Sequence, residues 1–265
     1  MSEAISDRFD GQSVIVTGST RGIGEGIASR FAREGASVIV TGRTTDAGES
    51  VTDAIREAGG DAHFVRADMR EPDDIEALIG ETVDRNGSVD VLINNAGVQT
   101  DTGAGEATMD DWEFVLATDF RSYWLCAKHA IVYMPDGGSI INVSSNHAFL
   151  TMPGIFPYNA IKAGINGMTR AMALDFGPRV RVNTINPGWV AIERTVGEMD
   201  QEYREYLESI HPVGRMGTPA DVAGVATFLA SEDAAFVTGA NLLVDGGRTA
   251  VMQDDTLPDF TDREN

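Results

Sequence analysis

SVIVTGSTRGIGEGIA, residues 13–28, is the stretch that decides the fold. A run rich in β-branched residues, Ser13 to Thr17, is followed by a turn holding Gly18, Gly22 and Gly24, and then by a helix-like segment from Ile23 to Glu34. A glycine at the end of a strand permits a tight turn. A second lets the backbone approach a pyrophosphate, and a third lets the helix pack close to the sheet with its N-terminus facing the anion. The spacing is Gly-x-x-x-Gly-x-Gly. A glycine-rich turn alone says little, but a strand before it and a helix after it mark a phosphate-binding βα unit.

The pattern continues outward from that unit. Further short apolar runs lie at 36–41, 62–67, 89–95, 138–145, 180–187 and 241–247, rich in Val and Ile and without clean polar alternation. Strands covered on both faces read this way. Between them fall helix-like segments at Asp46–Ala58, Pro72–Asn86, Met109–Tyr133, Ile155–Phe176 and Pro219–Ala230, the last with proline at the favoured first position. Strands alternating with helices predict an α/β protein with a doubly wound parallel sheet. No repeat or linker interrupts residues 1–265, so a single domain is expected, with an acidic C-terminal tail at 253–265.

Composition limits the function classes. The 265 residues carry 41 Asp and Glu against 20 Lys and Arg, a formal charge of −21. Such a surface repels nucleic acid and anionic membranes. Apolar residues make up 42%, which argues for a folded chain. Many carboxylates, with arginine as nearly the sole cation, suggest a salt-adapted cytoplasm; an Arg-favouring codon bias is the alternative. The single cysteine, Cys126, excludes an intrachain disulfide and reads as a small buried side chain. The N-terminal residues lack a signal-peptide apolar core, and no window approaches a membrane span. A cytoplasmic location is therefore expected. No Cys/His cluster has metal-ligand spacing, so no metal is expected.

Two residues of PYNAIKAG, 157–164, carry the chemistry. Lysine is almost absent from the chain, with Lys128 and Lys162 its only examples. Lys162 stands four residues after Tyr158, on one helical face. A phenol titrates near pH 10, and a neighbouring ammonium favours its phenolate. The pair therefore suits proton exchange with a substrate hydroxyl.

Thr17 with the glycine turn, Asn94-Asn95-Ala96-Gly97, Ser145, Tyr158-x-x-x-Lys162, Asn186-Pro187-Gly188 and Asp245-Gly246-Gly247 occur in an order that resembles the short-chain dehydrogenase/reductase family. The similarity covers about residues 8 to 250. It implies a Rossmann-like sheet of about seven strands, a nicotinamide cofactor, and a homotetramer. It implies catalytic roles for Ser145, Tyr158 and Lys162, with Lys162 also bonding the nicotinamide ribose. Ser144 is expected to be structural. Asp119 stands where the family places an asparagine of the same proton path. An ionised carboxylate there would favour the lysine cation and oppose phenolate. Cofactor contacts are implied for Gly18, Thr20, Arg21, Gly22, Ile23, Gly24, Arg43, Asp68, Met69, Asn95, Ala96, Gly97, Tyr158, Lys162, Pro187, Gly188 and Val190. Ile192 replaces a threonine that often holds the nicotinamide amide, with Thr195 nearby.

At the end of the second predicted strand, Gly42 and Arg43 stand where NAD-preferring relatives carry an acid. With Arg21 in the glycine turn, two guanidiniums suit a 2′-phosphate and favour NADP, with NAD use or dual specificity as the alternative. Asp68 resembles the family's adenine-binding aspartate; a helix cap is the other reading. A substrate lid is expected at 190–214, holding Glu193, Arg194, Glu198, Tyr203 and His211. The pocket wall is expected to include Asn146, His147, Phe149, Pro153 and Trp189. Ser144-Ser145-Asn146-His147 resembles sugar 1-dehydrogenases, and Asn, His and a stacking Trp suit a polyol. An aldose 1-dehydrogenase is the leading expectation. A 3-oxoacyl thioester reductase and a catalytically inactive nucleotide-binding relative are the alternatives.

Overall fold

The computed structural model describes residues 7–192, 197 and 199–251. Seven strands form one parallel sheet in the order β3-β2-β1-β4-β5-β6-β7. They are β1 (Ser13–Val16), β2 (Ser37–Gly42), β3 (Asp61–Arg66), β4 (Val91–Asn94), β5 (Gly138–Val143), β6 (Val180–Pro187) and β7 (Asn241–Val244). The helices are α1 (Gly22–Arg33), α2 (Thr45–Glu57), α3 (Pro72–Asn86), α4 (Met109–Val115), α5 (Ser122–Ala130), α6 (Tyr158–Phe176), α7 (Gln201–Ser209) and α8 (Pro219–Ala230). Parallel neighbours need a crossover, and the alternating helices supply it.

Successive strand residues face opposite sides, which explains the unbroken apolar runs. Val14 and Val16 join Ile27 and Phe31 of α1, Val51 and Ile55 of α2, and Val222 and Leu229 of α8. Ile15 points the other way, into a core with Ile75 and Leu78 of α3, Leu125 and Cys126 of α5, and Met172 of α6. Cys126 is buried as expected, and burial pushes its thiol up to about 12. Strand order reverses between the paired strands β1 and β4, so the connections that follow them lead away in opposite directions. Crevices in open α/β sheets form at that switch point.

Three segments depart from the sequence expectation. The helix expected over Met109–Tyr133 is broken: Leu116–Arg121 forms a π-helical segment between α4 and α5, and α5 ends at Ala130. Thr118 and Ser122 explain the break locally, because their hydroxyls donate to the carbonyls of Phe114 and Thr118, four residues back. The helix expected from Ile155 starts at Tyr158. Phe156 precedes Pro157, and a residue before proline is disfavoured in helical geometry. Within the expected lid lies a helix, α7, which had no separate expectation. Glu193, Arg194, Thr195, Glu198 and the 253–265 tail lie outside the described residues.

Candidate active site

The C-terminal ends of β1 and β4 are tied together by Thr17. Its hydroxyl donates to the Ile93 carbonyl and accepts from the amides of Asn95 and Ala96 at 2.9 and 3.0 Å. The Asn95 side-chain amide in turn donates to the carbonyls of Thr17 and Gly18. The glycine turn is thus held from below, and a cleft of about 260 Å³ opens beside it. Gly18, Thr20, Arg21, Gly22, Ile23, Gly24, Arg43, Asp68, Met69, Asn95, Ala96 and Gly97, all expected at the cofactor, line this cleft. Arg21, at the N-cap of α1, makes no side-chain cap. The first-turn N–H groups of α1 are therefore not capped by the Arg21 side chain, and a helix N-terminus of this kind suits an anion.

The cradle fits a dinucleotide. A Cβ on Gly24 would collide with the Gly18 carbonyl oxygen and the Asn95 amide, so the third glycine is needed for the close approach. At the end of β2, a Cβ on Gly42 would fall 2.6 Å from Thr20 Cγ2. That contact disfavours an acidic side chain where NAD-preferring relatives carry one. Arg21 and Arg43 are both exposed along the cleft.

Asp68 is not a helix cap: α3 is entered through Glu71, and Asp68 instead receives Asp74, whose carboxylate accepts the Asp68 amide at 2.8 Å. Its own carboxylate takes the Arg70 backbone amide and guanidinium, with Arg70 Nη2 at 2.5 Å from Oδ2. Arg70 holds the Asp68 carboxyl below the usual carboxylate range. The sequence reading missed Arg70 as a cleft residue. The Asp-x-Arg spacing after β3 was the available signal.

A second cleft of about 170 Å³ opens beyond the first, and Ile23 and Ile192 line both. It is walled by Ser145, Asn146, His147, Tyr158, Pro187, Gly188, Trp189 and Val190. Gln99 and Met152 complete the wall in place of the expected Phe149 and Pro153. Phe149 is instead exposed. Ser145 follows β5 and caps a short 3-10 turn, its hydroxyl accepting the His147 amide at 3.2 Å. Tyr158 opens α6, and its ring meets the His147 ring edge-on at 6.2 Å. Burial lowers the His147 pKa, which favours a neutral imidazole. At the mouth, Trp189 meets Tyr203 of α7 edge-on at 6.4 Å, and Tyr203 stacks on Tyr206 at 6.3 Å.

Lys162 and Asp119 lie behind this wall, both buried. Lys162 Nζ is 3.0 Å from Asp119 Oδ2 and donates to the Val143 carbonyl at 3.2 Å. It also lies 5.4 Å from the centre of the Tyr158 ring. Burial opposes its charge most strongly, but Asp119, Tyr123 and Tyr158 together outweigh burial and hold the ammonium above its ordinary range. Ser144 donates to the Lys162 carbonyl at 2.8 Å, the structural part expected of it. The larger cavity, about 800 Å³, opens among Arg8, Asp136, Arg179 and Glu232, beside the N-terminal ends of β4 and β5. It is remote from the catalytic group, and open α/β sheets bind ligands at the opposite, C-terminal edge.

Comparison with known proteins agrees with this geometry. The profile of a family described as Enoyl-(Acyl carrier protein) reductase matches residues 18–249. Glucose 1-dehydrogenase 2 of Bacillus subtilis is 36% identical, covering 90% of this chain and 95% of that protein. A 3-oxoacyl-acyl-carrier-protein reductase of Chlamydia pneumoniae is 38% identical, covering 90% and 97%. A solved short-chain dehydrogenase/reductase from Serratia marcescens superposes with a TM-score of 0.86 at 35% identity, over 91% of this chain and 99% of that one. With its phosphate turn, its parallel sheet and its Ser145, Tyr158 and Lys162 in place, this chain belongs to the short-chain dehydrogenase/reductase family of NAD(P)-dependent oxidoreductases acting on CH–OH groups.

Proposed function

We propose that the protein is an NADP-dependent aldose 1-dehydrogenase, oxidising the hemiacetal carbon of a pyranose or furanose to a lactone. The observation that carries the substrate class is the second cleft. There the polar side chains of Gln99, Asn146 and His147 share a wall with Tyr158 and Ser145, and Trp189 offers an aromatic face. Several hydroxyls need several polar partners, and a sugar ring stacks on indole. Arg21 and Arg43 on the first cleft support NADP over NAD.

When bound, the nicotinamide supplies the hydride acceptor for the C1 hydrogen. Tyr158 Oη takes the hydroxyl proton as the C–H bond breaks, so proton and hydride leave the same carbinol group. The Ser145 hydroxyl donates to the substrate oxygen and holds it while the carbonyl forms. Lys162 sets the electrostatics behind the phenol and, by resemblance, reaches the ribose. Asp119 acts through Lys162 and not on the substrate.

The 3-oxoacyl thioester reductase reading draws on the identity to the Chlamydia pneumoniae protein. It requires docking of an acidic carrier protein, which a chain of −21 disfavours. A spectrophotometric panel of aldoses, secondary alcohols and 3-oxoacyl thioesters, each with NADP(H) and NAD(H), separates the readings. Aldose-dependent NADP reduction is expected; turnover confined to thioesters would replace the sugar assignment. A homotetramer is also proposed. Exposed Trp124, Val132, Tyr133 and Leu174 on and beside α5 and α6, and Phe228, Phe236 and Leu243 around α8 and β7, offer two separate apolar faces for it.

A further inference from the structure

The Asp119–Lys162 pair has a geometry with consequences for the phenol beside it. The Asp119 side chain is fully enclosed and that of Lys162 is 4% exposed, with 3.0 Å between Oδ2 and Nζ. Asp119 Oδ1 accepts the Val98 amide at 2.8 Å, which fixes the carboxylate. A Cβ on Gly97 would lie 2.9 Å from Asp119 Oδ2 and 3.3 Å from Lys162 Nζ, so the pair rests directly on this glycine. The π-helical turn at Leu116–Arg121 carries Asp119 into this position. Insertions of this kind re-aim a side chain at functional sites.

We propose that Asp119 is a positioning residue that cancels much of the Lys162 charge felt by Tyr158 and thereby moves the working range of the enzyme towards alkaline pH. The proposal rests on Tyr158 being the proton-transferring group described above. An unpaired buried ammonium 5.4 Å from the ring centre would favour phenolate. An ammonium with a carboxylate at 3.0 Å acts on the phenol as a dipole, whose field is weaker.

The surrounding groups do not restore the missing charge. Tyr123 of α5 lies with its ring centre 5.7 Å from Nζ, and its hydroxyl donates to the Val143 carbonyl at 3.0 Å. Burial raises its phenol, which keeps it neutral. His147, edge-on to Tyr158, is likewise shifted towards its neutral form. Ser145, after β5, carries no charge. Burial leaves the Asp119 carboxyl above its ordinary range, while Lys162 at 3.0 Å and the Val98 amide act against that rise and favour the carboxylate.

Asp119→Asn keeps the size and an oxygen for the Val98 amide; it removes the charge and places an amide N–H group, in place of Oδ2, beside the Lys162 ammonium. The cofactor-free protein is titrated by near-ultraviolet phenolate absorbance, with Tyr158→Phe subtracted in each background to isolate that phenol. The signal is expected to move to lower pH by about one unit or more in Asp119→Asn. The acid limb of kcat/KM for alcohol oxidation should move by the same amount, so that the rate below the limb rises about tenfold per unit. Unmoved titrations, or movement to higher pH, would overturn the proposal. Asp119→Ser provides the same neutralisation if the asparagine variant does not fold. A wild type without turnover would end the dehydrogenase reading, whereas the cofactor-free titration would still decide this one.

Discussion

Both lysines of the chain lie against aromatic rings. Lys162 Nζ is 5.4 Å from the centre of Tyr158, and Lys128 Nζ is 5.3 Å from that of the exposed Trp124. In a chain otherwise reliant on arginine, the compact ammonium was retained at Lys162, where a planar guanidinium would crowd the enclosed space between Asp119, Val143 and Gly97. Tyr158 and Lys162 were legible from spacing, because helical geometry converts four residues into one face, and Ser145 from the family resemblance. Arg70 and Gln99 were not, since loop positions carry no such periodicity. The influence of Asp119 on Lys162 was anticipated from its place in the family pattern, but no sequence pattern announced the π-helical turn that carries it. Arg43→Ala tests the cofactor preference at this scale. Losing one charge-assisted contact to a 2′-phosphate should weaken NADP binding about tenfold or more, with NAD changed less than about twofold. Titration calorimetry without substrate reads this directly, and an equal loss for both would remove Arg43 from the phosphate site.

The helix packed against α1, α8, is fixed at its start. Thr218 opens α8 in a capping box with Asp221, and Arg215 grips the same carboxylate through two bonds of 2.7 and 2.8 Å. The Arg215 guanidinium, with Thr218, holds the Asp221 carboxyl well below the usual range. A depressed carboxyl stabilises the fold above its unfolded value, near 3.9, and loses that contribution as pH falls through the folded value. Asp221→Ala should therefore cost about 1–2 kcal/mol at neutral pH, with the deficit shrinking below about pH 4. Urea denaturation across pH measures it; a deficit independent of pH would leave only the packing of α8. The starts of α3 and α8 were readable from Pro72 and Pro219. The α4–α5 boundary was not, because the apolar pattern runs on through the π segment and only the Thr118 and Ser122 hydroxyls mark the break.

At the scale of the whole molecule, the strand and helix alternation was enough to predict a doubly wound parallel sheet. Right-handed crossovers leave few other ways to bury Val- and Ile-rich strands on both faces. The strand order, with its switch point between β1 and β4, came only from the structure. The charge of −21 acts on this scale too. Carboxylates repel one another over distances of a Debye length, about 10 Å at 0.1 M salt and about 3 Å at 1 M. Raising KCl over that range should increase Tm by several degrees. A flat or falling Tm would show that the acidic surface is neutral to stability and would remove the case for salt adaptation. Light scattering on the same samples tests the two apolar faces, with a tetramer expected and a monodisperse monomer contradicting it.

The central claim is that Tyr158, beside Ser145 and Lys162, moves the proton during hydride transfer to NADP. The direct test is aldose-dependent NADP reduction by the wild type and by Tyr158→Phe, with NADP binding measured on both proteins. Wild-type turnover that falls by about a thousandfold or more in the variant, with binding unchanged, is the predicted result. Turnover preserved within about tenfold in Tyr158→Phe would contradict it.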